Sequence, residues 1–134
     1  MSHPGNILLV GTEPDHQNLF SLMLRTAGHS VVLAPNAETA LNLLDRERFH
    51  IMMTDLRLPL MQGDVLIGIV VLQYPATKTL LLDTGRNLKK IATQAGATAW
   101  LNKLDAISAL CSVVAFMLTD VILCKDQTTL GDID

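Results

Sequence analysis

Apolar runs of four or five residues alternate along this chain with longer segments in which apolar side chains recur every three or four positions. The short runs suit strands buried on both faces of a parallel sheet, and the longer segments suit helices laid against it. The alternation predicts an α/β protein, doubly wound, with a five-stranded parallel sheet in an α/β/α sandwich. Strands are expected at residues 7–10, 30–33, 51–54, 79–82 and 99–101. Helical period is carried by Leu19, Leu22, Met23 and Thr26 in the first helix and by Ala37, Ala40, Leu41 and Leu44 in the second. Gly28 stands where a helix stops in the left-handed conformation. Thr12, Pro14 and Asp15 read as a helix start with a hydroxyl cap, proline in the first turn and a carboxylate three residues after the cap, and Asn36 as the cap of the second helix.

Two helices depart from the amphipathic pattern. Residues 65–72, Val-Leu-Ile-Gly-Ile-Val-Val-Leu, contain no polar side chain, whereas a helix on a sheet surface should be polar over more than half its circumference. Something other than water is expected to cover it. The last helix, over about 106–124, places Ile107, Leu110, Val114, Met117, Val121 and Cys124 on one seam, yet Val113, Phe116, Leu118, Ile122 and Leu123 lie off that seam. Asp120 interrupts the run, which falls short of the ~20 apolar residues a membrane span needs. Residues 125–134 are polar and without period, and read as a tail or linker after a domain spanning 1–124.

The 134 residues fit one core of ordinary size, and the high apolar share, 49%, agrees with a sheet covered on both sides. A net charge of −3 with scattered basic residues leaves no footprint for nucleic acid. The N-terminus has neither a basic start nor an apolar core, so a cytoplasmic protein is expected, with Cys111 and Cys124 as free thiols. His16, His29 and His50 show no metal-ligand spacing and are expected to have surface or packing roles.

Chemistry in a doubly wound sheet gathers beyond the carboxyl ends of the strands. The residues there are Thr12 and Glu13 after the first strand, Asp55 after the third, Asp83 and Thr84 after the fourth, and Lys103 after the fifth. Asp55 ends an apolar run and is followed four residues later by Pro59 and eight later by Gly63, while the segment from Ala95 to Lys103 passes through Trp100. Over residues 6–118 this order resembles the receiver domain of bacterial response regulators, a flavodoxin-like fold. The resemblance implies that Asp55 is the phosphoacceptor, that Lys103 contacts the phosphoryl group, that Asp83 occupies the switch hydroxyl position and that Trp100 occupies the switch aromatic position. Gly11 and Thr12 fall where the family carries its acidic metal-binding pair.

Placing a phosphoryl group on a carboxylate brings anionic oxygens together, and a hard Mg²⁺ held by several carboxylates offsets that charge. Gly11 and Thr12 bring none, so Asp55, with Glu13 as the nearest helper, is expected to hold Mg²⁺ weakly. An ionised Asp83 cannot donate to a phosphoryl oxygen as a hydroxyl would; Thr84 can if the register slips by one. Lys103 is then available for a permanent salt bridge with Asp55, Asp83 or both. Leu104 replaces the proline the family usually has after its lysine, which predicts a trans peptide and a reshaped loop.

The resemblance therefore implies a two-component signalling module without enzymatic activity: a pseudo-receiver with weak or no phosphorylation, acting by partner contact. A homodimer through the fifth helix is expected, using Val113, Phe116, Leu118, Ile122 and Leu123. A histidine kinase or another signalling protein is the expected partner, with an output domain outside this chain and no direct contact with nucleic acid or membrane. The alternative is a conventional Mg²⁺-dependent receiver, phosphorylated on Asp55 by a histidine kinase in a phosphorelay. An enzyme or small-ligand binder on the same scaffold finds no glycine-rich phosphate loop or nucleophile motif in support.

Overall fold

The computed structural model describes residues 5–119. The elements run β1 (Asn6–Val10), α1 (Pro14–Thr26), β2 (Ser30–Ala34), α2 (Ala37–Arg46), β3 (Ile51–Asp55), α3 (Gly63–Gln73), β4 (Lys78–Asp83), α4 (Leu88–Ala95), β5 (Ala99–Asn102) and α5 (Lys103–Leu118). The strands form one parallel sheet in the order β2-β1-β3-β4-β5. This is the predicted sheet, each strand running one or two residues longer than its apolar core.

Because successive strand side chains point to opposite faces, each strand feeds two cores. Leu8, Val10, Met52 and Leu81 face α2, α3 and α4, where Ala40, Leu44, Leu66, Val70 and Ala92 meet them. Ile7, Leu9, Ile51, Met53, Leu80 and Leu82 face α1 and α5, packing on Phe20, Leu24, Leu110 and Val114. At the amino edge of the sheet, His29 Nδ1 accepts from the Gly5 N–H at 3.0 Å and His50 Nδ1 accepts from the Asn6 N–H at 2.9 Å. Burial holds the pKa of His29 below the ordinary histidine value.

Several local expectations are corrected. The N-cap of α1 is Glu13, not Thr12. Pro14 is the first helical residue, and a residue before proline is driven out of the α region; Glu13 is accordingly extended, with φ −89° and ψ 107°. The face of α1 that meets the sheet is carried by Phe20, Ser21 and Leu24, while Leu19, Leu22 and Thr26 are exposed and Met23 packs only in part. α5 begins at Lys103 rather than about Ala106, because the Asn102 side chain caps it by accepting from Leu104 N–H at 2.9 Å. Its core seam is Ala106, Leu110, Val114 and Met117, which leaves Ile107 52% exposed. Val121, Ile122, Leu123 and Cys124, and the boundary with the polar tail, lie outside the described residues.

Two expected helix ends match. Asn36 caps α2 by accepting from Thr39 N–H at 2.8 Å. Gly28 takes φ 102° after the end of α1. In α3, Leu66, Ile67 and Val70 are buried, and Val65, Val71 and Leu72 are exposed, Val65 and Leu72 beside a groove toward Ile91, Gln94 and Ala95 of α4. Among the described residues no helix is long and apolar enough to cross a membrane.

Candidate functional site

The strand order reverses between β1 and β3, so the chain leaves β1 toward one side of the sheet and β3 toward the other, opening a crevice at their carboxyl ends. Asp55 is the last residue of β3 in that crevice, and only 7% of it is exposed. Its backbone is pinned from three sides. The Thr54 hydroxyl donates to Asp55 C=O at 2.9 Å, Leu56 N–H donates to Leu82 C=O at 2.9 Å, and Gly63 N–H returns to Leu56 C=O at 2.7 Å. A Cβ at position 63 would lie 2.0 Å from the Asp55 carbonyl oxygen. Here glycine is required by close approach, which gives the spacing from Asp55 to Gly63 a physical cause.

Lys103, the first residue of α5, is buried to 8% exposure and aims across the crevice. Its Nζ stands 3.1 Å from Asp55 Oδ1 and donates to Glu13 Oε1 at 2.6 Å. Leu104 bears on this placement, because its N–H satisfies the Asn102 cap and a proline there would have none to donate. All peptide bonds among the described residues are trans, including the one after Lys103. Glu13 stands at the N-cap of α1 but makes no side-chain cap bond. Its carboxylate reaches Lys103 instead, with His16 Nδ1 3.5 Å from the same oxygen.

Burial pushes the pKa of Asp55 above its ordinary value, outweighing the opposing pull of Lys103. Burial also works to lower the pKa of Lys103, but the bonds and charges of Glu13 and Asp55 overcome it and the net shift is upward. The hydrogen bond from Lys103, then its charge, brings Glu13 below the usual carboxylate range. The ammonium is thus firmly charged between two carboxylates.

The remaining sequence-derived residues sit as follows. Gly11 directly follows β1, and a Cβ there would fall 2.5 Å from Asp55 Oδ2 and 3.3 Å from Gln17 Nε2. Thr12 is exposed. Asp83 ends β4, buried, accepting from Gly85 N–H at 3.0 Å with Arg57 Nε 3.9 Å away; Thr84 beside it is exposed. Lys103 therefore pairs with Asp55 and Glu13, and Asp83 with Arg57. Trp100 packs, partly exposed, against the core on the α2 to α4 side. On α5, Val113 and Leu118 lean in part on the α1 side core and Phe116 is partly exposed; Ile122 and Leu123 fall outside the described residues. His16 and Gln17, which sequence reasoning left out of the site, line it from the first turn of α1.

The donor set does not suit Mg²⁺. A hard divalent ion seeks several carboxylate or carbonyl oxygens, but Gly11 and Thr12 supply no carboxylate and that of Glu13 is engaged by Lys103. Among the described residues no group of three or more histidine, cysteine, aspartate or glutamate side chains is placed to hold a metal.

Fold and site together define an α/β module with a buried carboxylate at its switch point. The chain belongs to the response regulator receiver domain family, which its residues 7–115 match. An uncharacterized 14.6 kDa protein of Leptolyngbya boryana is 41% identical over 75 residues, 56% of each chain. The transcriptional regulatory protein GlrR of Escherichia coli is 32% identical over 106 residues, 77% of this chain and 24% of its own. The chain therefore spans about a quarter of that regulator and about half of the Leptolyngbya protein. Among solved structures, the chemotaxis response regulator CheY4 of Vibrio cholerae is 27% identical with a TM-score of 0.79, over 87% of this chain and 100% of that one. Receiver domains are in general signalling modules rather than enzymes, and typically bind Mg²⁺ at an acidic site.

Proposed function

We propose that this receiver is a phosphorylation-independent signalling module, one that retains the acceptor position and works through contact with a partner protein. The reading rests above all on the ion triad: Lys103, the residue that would meet a phosphoryl group, already holds Asp55 at 3.1 Å and Glu13 at 2.6 Å. Gly11 and Thr12 add no charge for a divalent ion, so Mg²⁺ is held weakly. Asp83 offers an incoming phosphoryl group a like charge in place of a hydroxyl. The module acts in the cytoplasm as a homodimer through α5, where Phe116 is partly exposed. A histidine kinase or another signalling protein, or an output domain in a longer chain, is its further partner, and the apolar face of α3 is suited to such a contact.

The test is to incubate the protein with Mg²⁺ and acetyl phosphate and to measure its intact mass beside Asp55→Asn. No adduct is expected under conditions that modify an ordinary receiver. An adduct that vanishes in Asp55→Asn would replace this reading with the second one, a conventional phosphoacceptor receiver served by a histidine kinase. That alternative is supported by the buried Asp55 beside Lys103 and by the Gly63 turn that positions it.

A further inference from the structure

Building on the phosphorylation-independent reading, we propose that Glu13 is a built-in anion, occupying on Lys103 the position a phosphoryl oxygen would take, and that neutralising it opens a site for a phosphate-class oxyanion. Two features set Glu13 apart from an ordinary helix-start carboxylate. A side chain at the N-cap normally satisfies the first free N–H groups of its helix, yet that of Glu13 makes no such bond and turns to Lys103. Its partner lies 90 positions away in the sequence, at the start of the other helix packed on that face of the sheet. The contact therefore joins the start of α1 to the start of α5 across the mouth above Asp55.

The local charges complete the case. Asp55 and Glu13 oppose the single ammonium of Lys103, so the triad carries a net negative charge and repels an added dianion. Lys103 is nearly buried and directs its ammonium at these two carboxylates. Without the Glu13 charge the triad is neutral, and Lys103 regains donor capacity facing the solvent side of Asp55. Other donors already flank the spot. His16 Nδ1 lies 3.5 Å from Glu13 Oε1, and Gln17 Nε2, shut off from solvent and without a hydrogen-bond partner among the described residues, borders the space beside Gly11 and Asp55 Oδ2. The site that Glu13 closes is thus lined by an ammonium, an imidazole and an amide, a set that favours a tetrahedral oxyanion.

The test is a titration with inorganic phosphate, without Mg²⁺ or acetyl phosphate, followed by NMR at the backbone amides of residues 11–13, 15–17 and 103. It compares the wild-type chain, Glu13→Gln, Glu13→Ala and Glu13→Gln combined with Lys103→Met. Both neutral variants should bind phosphate about tenfold tighter than wild type, the scale of one charge-assisted hydrogen bond, and the combined variant should lose that gain. Equal affinities in wild type and in whichever neutral variants keep the native spectrum would overturn the proposal, as would a gain that survives loss of Lys103. Since no phosphodonor is present, a wild-type chain that proves modifiable by acetyl phosphate defeats the functional reading and leaves the affinity ratio to decide this one separately.

Discussion

The two edges of the sheet hold their polar groups by different means. At the amino edge, His29 and His50 accept from the N–H groups of Gly5 and Asn6, so the start of β1 is tied down by hydrogen bonds to imidazole. At the carboxyl edge, Asp55, Lys103 and Glu13 form an ion triad, and Asp83 faces Arg57. A hydrogen bond to imidazole satisfies a backbone group at little desolvation cost, whereas partly buried charges cost stability unless each is matched. The amino edge is built to hold the fold and the carboxyl edge to hold charge in readiness.

The contrast can be broken most forcefully at Gly63. Gly63→Ala places a Cβ 2.0 Å from the Asp55 carbonyl oxygen, and the loop cannot close around it. Chemical denaturation should record a loss of about 3 kcal/mol or more; a loss within ordinary surface-mutation range would mean that the turn tolerates a side chain after all. Next in size is Lys103→Met, which strands Asp55 and Glu13 without their cation at a cost of about 2 kcal/mol at neutral pH. That loss should shrink as pH falls, because Asp55, whose pKa burial already raises, takes up a proton once its counter-ion is gone. A deficit that stays constant down to pH 4 would indicate lost packing of the lysine stem rather than lost charge.

The smallest effect lies at the other edge. Burial depresses the pKa of His29 in the folded chain, so below 6.5 the unfolded chain binds more protons and stability falls as pH drops from 6.5 toward the folded value. Thermal melts of wild type between pH 7.5 and 5 should show this decline, and His29→Ala should flatten it while losing about 1 kcal/mol at pH 7.5 by leaving Gly5 N–H without its partner. An equally steep decline in the variant would assign the effect to another group.

Much of this was legible in the sequence. The strands were, because Leu8 and Val10 feed one core while Ile7 and Leu9 feed the other, which demands an unbroken apolar run. The inward face of α1 was not: Leu19 and Leu22 compete with Phe20 and Leu24 at the same helical spacing, and only the packed sheet chooses between them. Asp55 and Lys103 could be placed from strand ends alone. The tie from Glu13 could not, because it depends on where Pro14 begins the helix and on the rotamer the carboxylate then adopts. The capping of α5 by Asn102 escaped notice for a similar reason, since Asn102 itself belongs to β5 and only the turn geometry brings it over Leu104.

Gly11 has a bearing on how this protein can change. The carboxylate of Asp55 extends to within 2.5 Å of where a side chain at position 11 would begin, and its other oxygen is tied to Lys103. A single substitution placing an acid at position 11 therefore meets a collision and a like charge. To accept it, the Asp55 carboxylate has to turn away, and its bond to Lys103 changes with it. A side chain at position 11 and the present pose of Asp55 thus exclude each other, so the two positions can change only as a pair.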